Sequence, residues 1–230
     1  ALHAVFTLDE SLESFLRGHV EAFTAVGGVP RAILSDNRKS AVLERRGDAI
    51  RFHPRLLELC GPSHFVPRPC AVARANEKGR GERAIQDLRH AFFAARPFRE
   101  VEDLNAQFVH WRDTVAHARR VPGDPTRTVA EALAAEQARL LPLPAHPFPT
   151  ALMRAVTAGK TPYIRFDRNW YSIPHTLVRV PLTLVADPET VRLFHGTEEV
   201  ACHLRCYDAD FTTEARDHLQ ALVAAKRQAS

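Results

Sequence analysis

The sequence has 230 residues, of which 45% are hydrophobic and 25% are charged. This length allows one full domain and a second, smaller one, each with its own core. No apolar run reaches the roughly 18 residues that a membrane-spanning helix needs, and the four cysteines fit no disulfide framework, so we expect a cytoplasmic protein without a membrane span. The net charge of +4 and the isoelectric point near 9.1 suit a polyanionic partner.

The first third of the chain has a strand–helix–strand pattern. The β-rich run from His3 to Leu8 predicts a strand, and since no initiator Met precedes it, we expect an upstream portion to be missing. Ser11 opens a helix with apolar residues at helical spacing, and Gly27 with Gly28 ends it. The next apolar run predicts a strand that finishes at the carboxylate of Asp36.

Helices dominate the middle of the chain. The pattern predicts a short helix from Pro54 to about Leu59 and, after a glycine-containing loop, a long helix from about Glu82 to Ala94. An amphipathic helix is expected from about Val101 to His117. The stretch that follows, up to Pro149, is rich in Pro and Ala and indicates a linker with one short helix.

Short strands dominate the last third. Residues 163–166 and 170–173 predict a hairpin with a turn between them, and residues 182–186 predict a third strand. A second hairpin is expected over 191–203. Several short strands within about 45 residues predict a small barrel. A polar helix is expected to end the chain.

Two carboxylates occupy positions that suit metal-dependent chemistry. Asp36 lies at the end of a predicted strand, and Glu82 lies in the first turn of a predicted helix, beside its apolar face. Phosphoryl transfer on DNA needs carboxylates that converge on two hard metal ions, which stabilise the attacking and the leaving oxygen. Taken alone, each carboxylate more often marks a polar strand end or a charge that favours the helix dipole.

Basic residues accompany the two carboxylates. Between Phe65 and Glu100 there are eight Lys/Arg and four Asp/Glu, a surplus equal to that of the whole chain. Contacts with DNA phosphates supply affinity and salt dependence rather than sequence choice. The alternative is a solvated helix face. The residues that we expect to contact DNA are Asn37, Arg38, Lys39, Arg74, Lys78, Arg80, Arg83 and Arg89.

Three segments resemble, in order, parts of the IstA-type DDE transposases of bacterial insertion sequences. GGVPRAILSDNRKSAV (27–42) resembles the segment of their second aspartate, ARANEKGRGERAI (73–85) that of their glutamate, and RFDRNWYSIP (165–174) the start of their C-terminal barrel. The resemblance implies an α/β RNase H-like integrase core, incomplete at its N-terminal side, over 1–120. It implies a linker over 121–158, a small all-β SH3-like barrel over 159–207 and a tail helix over 208–230.

The resemblance also implies an activity, namely metal-dependent cleavage of transposon ends and strand transfer into target DNA. Asp36 and Glu82 would be catalytic residues and ligands to two Mg²⁺ (or Mn²⁺) ions. The family's first catalytic aspartate lies on a strand upstream of residue 1, so we expect this chain alone to be inactive. Asp9 is an alternative for that missing carboxylate, and Glu77 is an alternative to Glu82.

The implied partners are transposon-end and target DNA, further copies of the protein on paired DNA ends, and an ATPase helper of the IstB type, in the nucleoid-associated cytoplasm. Two other functions stay open: a catalytically dead DNA-binding remnant, and an RNase H-type nuclease without transfer activity. Trp170, Tyr171 and Tyr163 could stack on bases, but we expect them to form the core of the small barrel.

Overall fold

The computed structural model describes residues 1–35, 42–46, 49–69, 82–94 and 96–228. These residues form a mixed α/β structure that divides into two compact units, Ala1–Phe148 (the N-terminal unit) and Pro149–Ser230 (the C-terminal unit). Each unit has hydrophobic clusters of its own. Among the described residues, no helix is both long enough and apolar enough to span a membrane.

Helix α1 (Leu12–Val26) begins and ends where the sequence predicts. Ser11 caps its N-terminus by accepting a hydrogen bond from the Ser14 N–H. Gly27 ends it in the left-handed conformation (φ 75°), which glycine adopts without steric strain. The helix buries Leu16 and Phe23, which lie seven residues apart on one face.

The strands of the N-terminal unit follow. Strand β1 (Ala32–Ser35) pairs in parallel with β4 (Val66–Pro69), and the antiparallel hairpin of β2 (Val42–Arg46) and β3 (Ala49–Phe52) lies between them in sequence. Helix α2 (Pro54–Ser63) begins with proline, whose missing N–H has no partner to lose in a first turn. A core cluster joins these elements to α1 through Leu16, Phe23, Val29, Leu56, Leu59, Cys60 and Phe65.

A second cluster lies between two helices. Helix α3 spans residues 82–93, with wider π-type turns over Leu88–Phe93, and α4 (Val101–Trp111) also continues in π-type turns over Arg112–Ala116. The predicted end of α3 and both predicted ends of α4 are therefore close to those observed. Their cluster consists of Phe92, Leu104, Phe108, Trp111 and Ala116.

The strand predicted from His3 to Leu8 is not formed, and this part of the sequence interpretation is wrong. Leu2, Ala4 and Phe6 do alternate toward one side, but they pack against the α3–α4 cluster. The side-chain amide of Asn105 replaces a neighbouring strand, because it accepts from the Phe6 N–H at 2.8 Å and donates to the Phe6 carbonyl oxygen at 3.0 Å. The segment thus satisfies part of its backbone without a β-ladder.

Residues 121–158, which we expected to form a linker, contain regular elements. Strands β5 (Arg120–Val121) and β6 (Asp124–Thr128) form a hairpin, and α5 (Val129–Gln137) follows with a Thr128–Glu131 capping box. Beyond α5, Leu141 exchanges two backbone hydrogen bonds with Val29, of 2.8 and 2.9 Å. The boundary between the two units lies after Phe148.

The C-terminal unit is built from two sheets. One has the strand order β12–β11–β10–β7 and the other β13–β9–β8. A single 3₁₀ turn at His175–Leu177 precedes β10, and helix α6 (Arg216–Gln228) follows the last strand. The strands are β7 (Leu152–Thr157), β8 (Tyr163–Phe166), β9 (Asn169–Ser172), β10 (Pro181–Ala186), β11 (Thr190–His195), β12 (Glu198–Leu204) and β13 (Thr212–Thr213).

One core holds both sheets together. Its buried residues come from the three-stranded sheet, from the four-stranded sheet and from the connections between strands: Ala158, Ile164, Phe166, Tyr171, Ile173, Leu182, Leu184, Ala186, Val191, Leu193 and Ala201. Buried and exposed residues alternate along β8 and β11, as two-sided strands require. Both hairpins and the third strand predicted from the sequence are confirmed. Strand β7 belongs to the four-stranded sheet, where it pairs with β10, and its Leu152 and Val156 pack on this core.

Candidate active site and nucleic-acid interface

The two strands that precede the predicted catalytic carboxylates in sequence end at one edge of their sheet. In the parallel pair β1–β4, Ser35 lies opposite Pro69, so both strands run toward the same edge. The chain leaves β1 into residues 36–41 and leaves β4 into residues 70–81. Both motif-bearing segments therefore start from this sheet edge, which is where ligands of open α/β sheets bind.

Most of the predicted site residues lie outside the described part of the chain. These are Asp36, Asn37, Arg38, Lys39, Arg74, Lys78 and Arg80, together with the alternative carboxylate Glu77. Strand β1 is described up to Ser35, whose hydroxyl is buried and has no hydrogen-bond partner among the described residues. Three predicted site residues remain to be placed: Glu82, Arg83 and Arg89.

Glu82 is the first described residue of α3, and it is helical as the sequence predicts. Glu82, Arg83 and Arg89 are all exposed. The apolar face of α3 is narrower than the sequence pattern predicts, because Phe92 is buried while Ile85 is 51% exposed. The described first turns of α3 therefore present charged side chains to solvent.

Asp9 has a structural role at the start of α1. Its Oδ1 accepts from the Ser11 N–H at 3.1 Å, from the Ser11 hydroxyl at 2.7 Å and from the Ser14 hydroxyl at 2.5 Å. These bonds extend the N-terminal cap of the helix, where a carboxylate is favoured by the backbone N–H groups. Among the described residues, no group of three or more His, Cys, Asp or Glu side chains is placed to hold a metal ion.

The aromatic residues of the C-terminal unit divide into two groups. Tyr171 is fully buried, as expected for a core residue, and its hydroxyl accepts from the Cys206 N–H at 3.1 Å. Tyr163 is half-buried and donates from its hydroxyl to the carboxylate of Glu214. Trp170 is 38% exposed, so the expectation that it belongs to the core is wrong. The alternation Asn169 in, Trp170 out, Tyr171 in along β9 is the signal that separates them.

Comparisons with known proteins agree with these motifs. The family Mu transposase, C-terminal domain, matches residues 143–214. The chain is 31% identical to the transposase for IS21 from Pseudomonas aeruginosa over 189 residues, which is 81% of this chain and 48% of the relative. It is 32% identical to the transposase assigned to IS5376 in Geobacillus stearothermophilus over 151 residues, 66% of this chain and 37% of the relative. A transposase of Aminobacter aminovorans is 29% identical over 198 residues, with 85% and 39% covered.

The chain spans about half the length of these relatives or less. Its matches to these insertion-sequence transposases extend across both units, whereas the Mu transposase match covers most of the C-terminal unit, up to residue 214, and the few residues before it. These matches place the chain in the family of insertion-sequence transposases that includes the IS21 transposase.

Proposed function

We propose that this chain is the later part of a DDE-class DNA transposase, which cleaves transposon ends and joins them to target DNA. The observation that carries the proposal is the common sheet edge from which both motif-bearing segments start. Strand β1 ends one residue before Asp36, and α3 is described from Glu82 onward. The relatives, which are transposases of insertion sequences, support the same reading.

The proposed architecture is an RNase H-like core followed by an SH3-like barrel. The parallel pair β1–β4, flanked by α1 and α2 on a common cluster, supports the first assignment. The two small sheets around one core in the C-terminal unit support the second. In this arrangement the core would carry the chemistry, and the barrel would be a separate module.

The proposed site would hold two Mg²⁺ (or Mn²⁺) ions. Carboxylate oxygens are the ligands that these hard cations prefer, and Asp36 and Glu82 are the carboxylates that would hold them. When bound, the ions supply Lewis-acid stabilisation of the attacking and leaving oxygens. The chain's own contribution would be to hold the two carboxylates at a strand end and a helix start, so that both would be in place before DNA binds.

DNA would be held by the basic residues around these carboxylates. Arg83 and Arg89 are exposed on α3, one and seven residues after Glu82. Asn37, Arg38 and Lys39 follow Asp36 directly, and Arg74, Lys78 and Arg80 precede Glu82. Their proposed partners are phosphates, which would give affinity for DNA of any sequence. By family resemblance we also propose assembly of several copies on paired DNA ends, an IstB-type ATPase helper, and a place in the nucleoid-associated cytoplasm.

We propose further that residues 1–230 alone do not join DNA. Two carboxylates offset only half of the charge of two divalent ions, and Mg²⁺ keeps its waters unless protein oxygens hold it. Asp9 is the alternative for the remaining carboxylate. Its Oδ1 already accepts hydrogen bonds from the two serine hydroxyls and the N–H group at the start of α1. A catalytically dead DNA-binding remnant is the competing function.

The test uses pre-cut transposon-end oligonucleotides with Mg²⁺ or Mn²⁺. We expect joining by a longer protein extended upstream through a strand that carries an aspartate, and none by residues 1–230. In the longer protein, Asp36→Asn and Glu82→Gln should each abolish joining while DNA binding is retained. Glu102→Gln, an exposed carboxylate of α4, is the matched control and should keep full activity. Joining that survives Asp36→Asn, or joining by residues 1–230 that Asp9→Asn abolishes, would contradict the proposal.

A further inference from the structure

A groove of about 570 Å³ lies on the C-terminal unit between strands β7 and β8. These are edge strands, β7 of the four-stranded sheet and β8 of the three-stranded sheet. The loop that connects them, with Gly159, Lys160 and Thr161, closes one end of the groove. The groove is thus the open seam between the two sheets, and it lies outside the segments that carry Asp36 and Glu82.

Three cations line this groove: Arg154 on β7, Lys160 in the loop and Arg165 on β8. No carboxylate lies among the described residues that line it. None of the three cations forms an ion pair within the described part of the chain, whereas Arg192 and Arg205 elsewhere in the same unit pair with carboxylates. The nearest acid in contact with the lining is Glu214, which accepts the hydroxyl hydrogen of Tyr163.

Two of the cations are held in place by neighbouring groups. The guanidinium of Arg154 lies 5.2 Å from the ring centre of Phe166, and one of its nitrogens lies 3.5 Å from the Arg165 carbonyl oxygen. The guanidinium of Arg165 lies 5.5 Å from the ring centre of Trp170, its cross-strand partner. Such contacts with ring faces orient a guanidinium without neutralising its charge.

Trp170 completes the lining with an aromatic surface. It points away from the core on β9, and 38% of it is exposed even with Arg165 beside it. A large aromatic side chain beside unpaired cations is the combination on which single-stranded nucleic acids bind, since every base can stack on a ring and every phosphate can meet a cation. Within a duplex the base faces are already stacked on each other, so this feature selects an unpaired strand.

We infer that the β7–β8 groove binds a segment of unpaired DNA strand, with phosphates against Arg154, Lys160 and Arg165 and a base against Trp170. The inference rests on the proposed function only for the choice of DNA among polyanions. It adds a binding site on the C-terminal unit that is independent of the catalytic carboxylates. An acidic peptide is the other ligand that the charge would admit, but it would leave the position of Trp170 unexplained.

The test measures fluorescence anisotropy of labelled oligothymidylate and of a duplex of equal length, both with residues 1–230. Trp170→Ala should weaken oligothymidylate binding by roughly 5- to 150-fold, the effect of one stacked base, and affect duplex binding less. Lys160→Ala and Arg165→Ala should weaken both and lower the salt dependence of each. Leu204→Ala, an exposed apolar residue of β12 at the edge of the four-stranded sheet opposite β7, and Arg216→Ala, an exposed cation of α6, are the controls.

Tryptophan fluorescence gives a second readout. The chain has two tryptophans, and Trp111 is buried in the N-terminal unit. Oligothymidylate should therefore quench the emission of Trp170, and Trp170→Phe should remove the quenching while it keeps part of the affinity. A folded Trp170→Ala variant with unchanged affinity for oligothymidylate would overturn the inference. So would a parent protein that binds poly-glutamate as tightly as oligothymidylate. Asp36→Asn should not alter this binding, so a failure of the proposed chemistry would be visible separately.

Discussion

Asn169 shows how one buried polar residue organises the C-terminal unit. It is fully buried beside the turn formed by Asp167 and Arg168, both of which have positive φ angles. Its Nδ2 donates to the carbonyl oxygens of Cys206 and Asp208 at 2.9 and 2.8 Å, and its Oδ1 accepts from the Phe211 N–H at 2.9 Å. A short hairpin is thereby joined to a segment about 40 residues later, and buried groups of this kind are costly to leave unpaired.

Replacing Asn169 with Asp should lower the free energy of unfolding of the C-terminal unit by about 2–4 kcal/mol. The substitution removes the amide donor and turns a carboxylate toward two carbonyl oxygens. Urea unfolding followed by tryptophan fluorescence measures the change in a Trp111→Phe background, in which all tryptophan emission comes from Trp170. Asp208→Asn alters an exposed side chain only and should change the unfolding free energy little. An Asn169→Asp variant as stable as the parent would mean that the network contributes nothing.

The basic residues just before and within the first turn of α3 can be tested through DNA affinity. We expect the double variant Arg80→Ala, Arg83→Ala to bind all DNA sequences more weakly and to lower the slope of log affinity against log salt by about one unit per lost phosphate contact. The control, Arg127→Ala with Arg139→Ala, removes the same charge from exposed positions on and after β6. An unchanged slope in the first variant, measured from 50 to 200 mM salt, would assign these residues to a solvated helix face.

At the scale of elements, helix α6 is attached to the two sheets through His218. Its Nδ1 lies 2.9 Å from the hydroxyl of Ser172, which also accepts from the Ala215 N–H at 2.9 Å. His203 donates from Nε2 to the Ser172 carbonyl oxygen at 2.7 Å, and its ring meets that of His218 edge-on. Burial lowers the pKa of His218 below its ordinary value of 6.5, while backbone hydrogen bonds and Asp217 oppose the shift. Burial also lowers the pKa of His203.

This arrangement predicts a loss of stability in mild acid. Because His218 and His203 have lower pKa values in the folded state, the unfolded chain takes up protons first as the pH falls through 6.5. The free energy of unfolding should then decrease by at most about 1.4 kcal/mol per pH unit for each histidine. His218→Gln should make the decrease shallower in thermal melts between pH 7.5 and 5, whereas His195→Gln, on an exposed part of β11, should not. If the melting temperatures of the parent and both variants fell equally with pH, the role given to His218 would be contradicted.

The contact between residues 140–141 and the end of α1 gives a prediction with a built-in control. A Cβ atom on Gly28 would lie 2.7 Å from the Leu140 Cβ and 2.9 Å from the Leu141 carbonyl oxygen, whereas one on Gly18 would meet nothing within 4 Å. Gly28→Ala should therefore destabilise the N-terminal unit by about 1–3 kcal/mol. Gly18→Ala lies within helix α1 and should stabilise it by roughly 0.5–1 kcal/mol. Urea unfolding gives the free energy of unfolding of both variants. If the two substitutions changed it in the same direction, the result would contradict the role proposed for this contact.

The elements predicted correctly from the sequence are those whose structure is determined by residues close to them in the chain. Helix α1 and the hairpins β8–β9 and β11–β12 follow from caps, turns and alternation within a few residues, and their predictions are confirmed. The run from His3 to Leu8 has a strand-like pattern, but Asn105, about 100 residues away, decides its structure. The roles of Asp36 and Glu82 as metal ligands stay predictions. The exposed position of Trp170 could have been read from the alternation along β9.

At the scale of the whole molecule, the two units have separate cores. The cluster of the C-terminal unit consists entirely of residues between Ala158 and Ala201, with Leu152 and Val156 packed against it. Strand β7 contributes these two residues and pairs with β10 from Leu152 to Thr157. The sequence pattern assigned this strand to a linker and began the barrel at residue 159. The start of this unit is therefore residue 149 in the structure and residue 159 in the sequence prediction. The two can be distinguished by asking whether the unit folds without β7.

We therefore expect residues 149–230 to fold on their own and residues 159–230 not to. The longer fragment keeps the four-stranded sheet complete, while the shorter one exposes the edge of β10 and uncovers the side of the core under Leu152 and Val156. Domains of this size hold only a few kcal/mol of stability, so the loss of one strand with two packed side chains, about 1.5–3 kcal/mol each, is enough to unfold most of the population. Thermal melts followed by circular dichroism and Trp170 fluorescence measure both fragments. The longer one should melt in a single transition with the midpoint of the Trp170 signal in the full chain, and the shorter one should show no transition. A cooperative transition of equal midpoint in residues 159–230 would instead support the boundary predicted from the sequence.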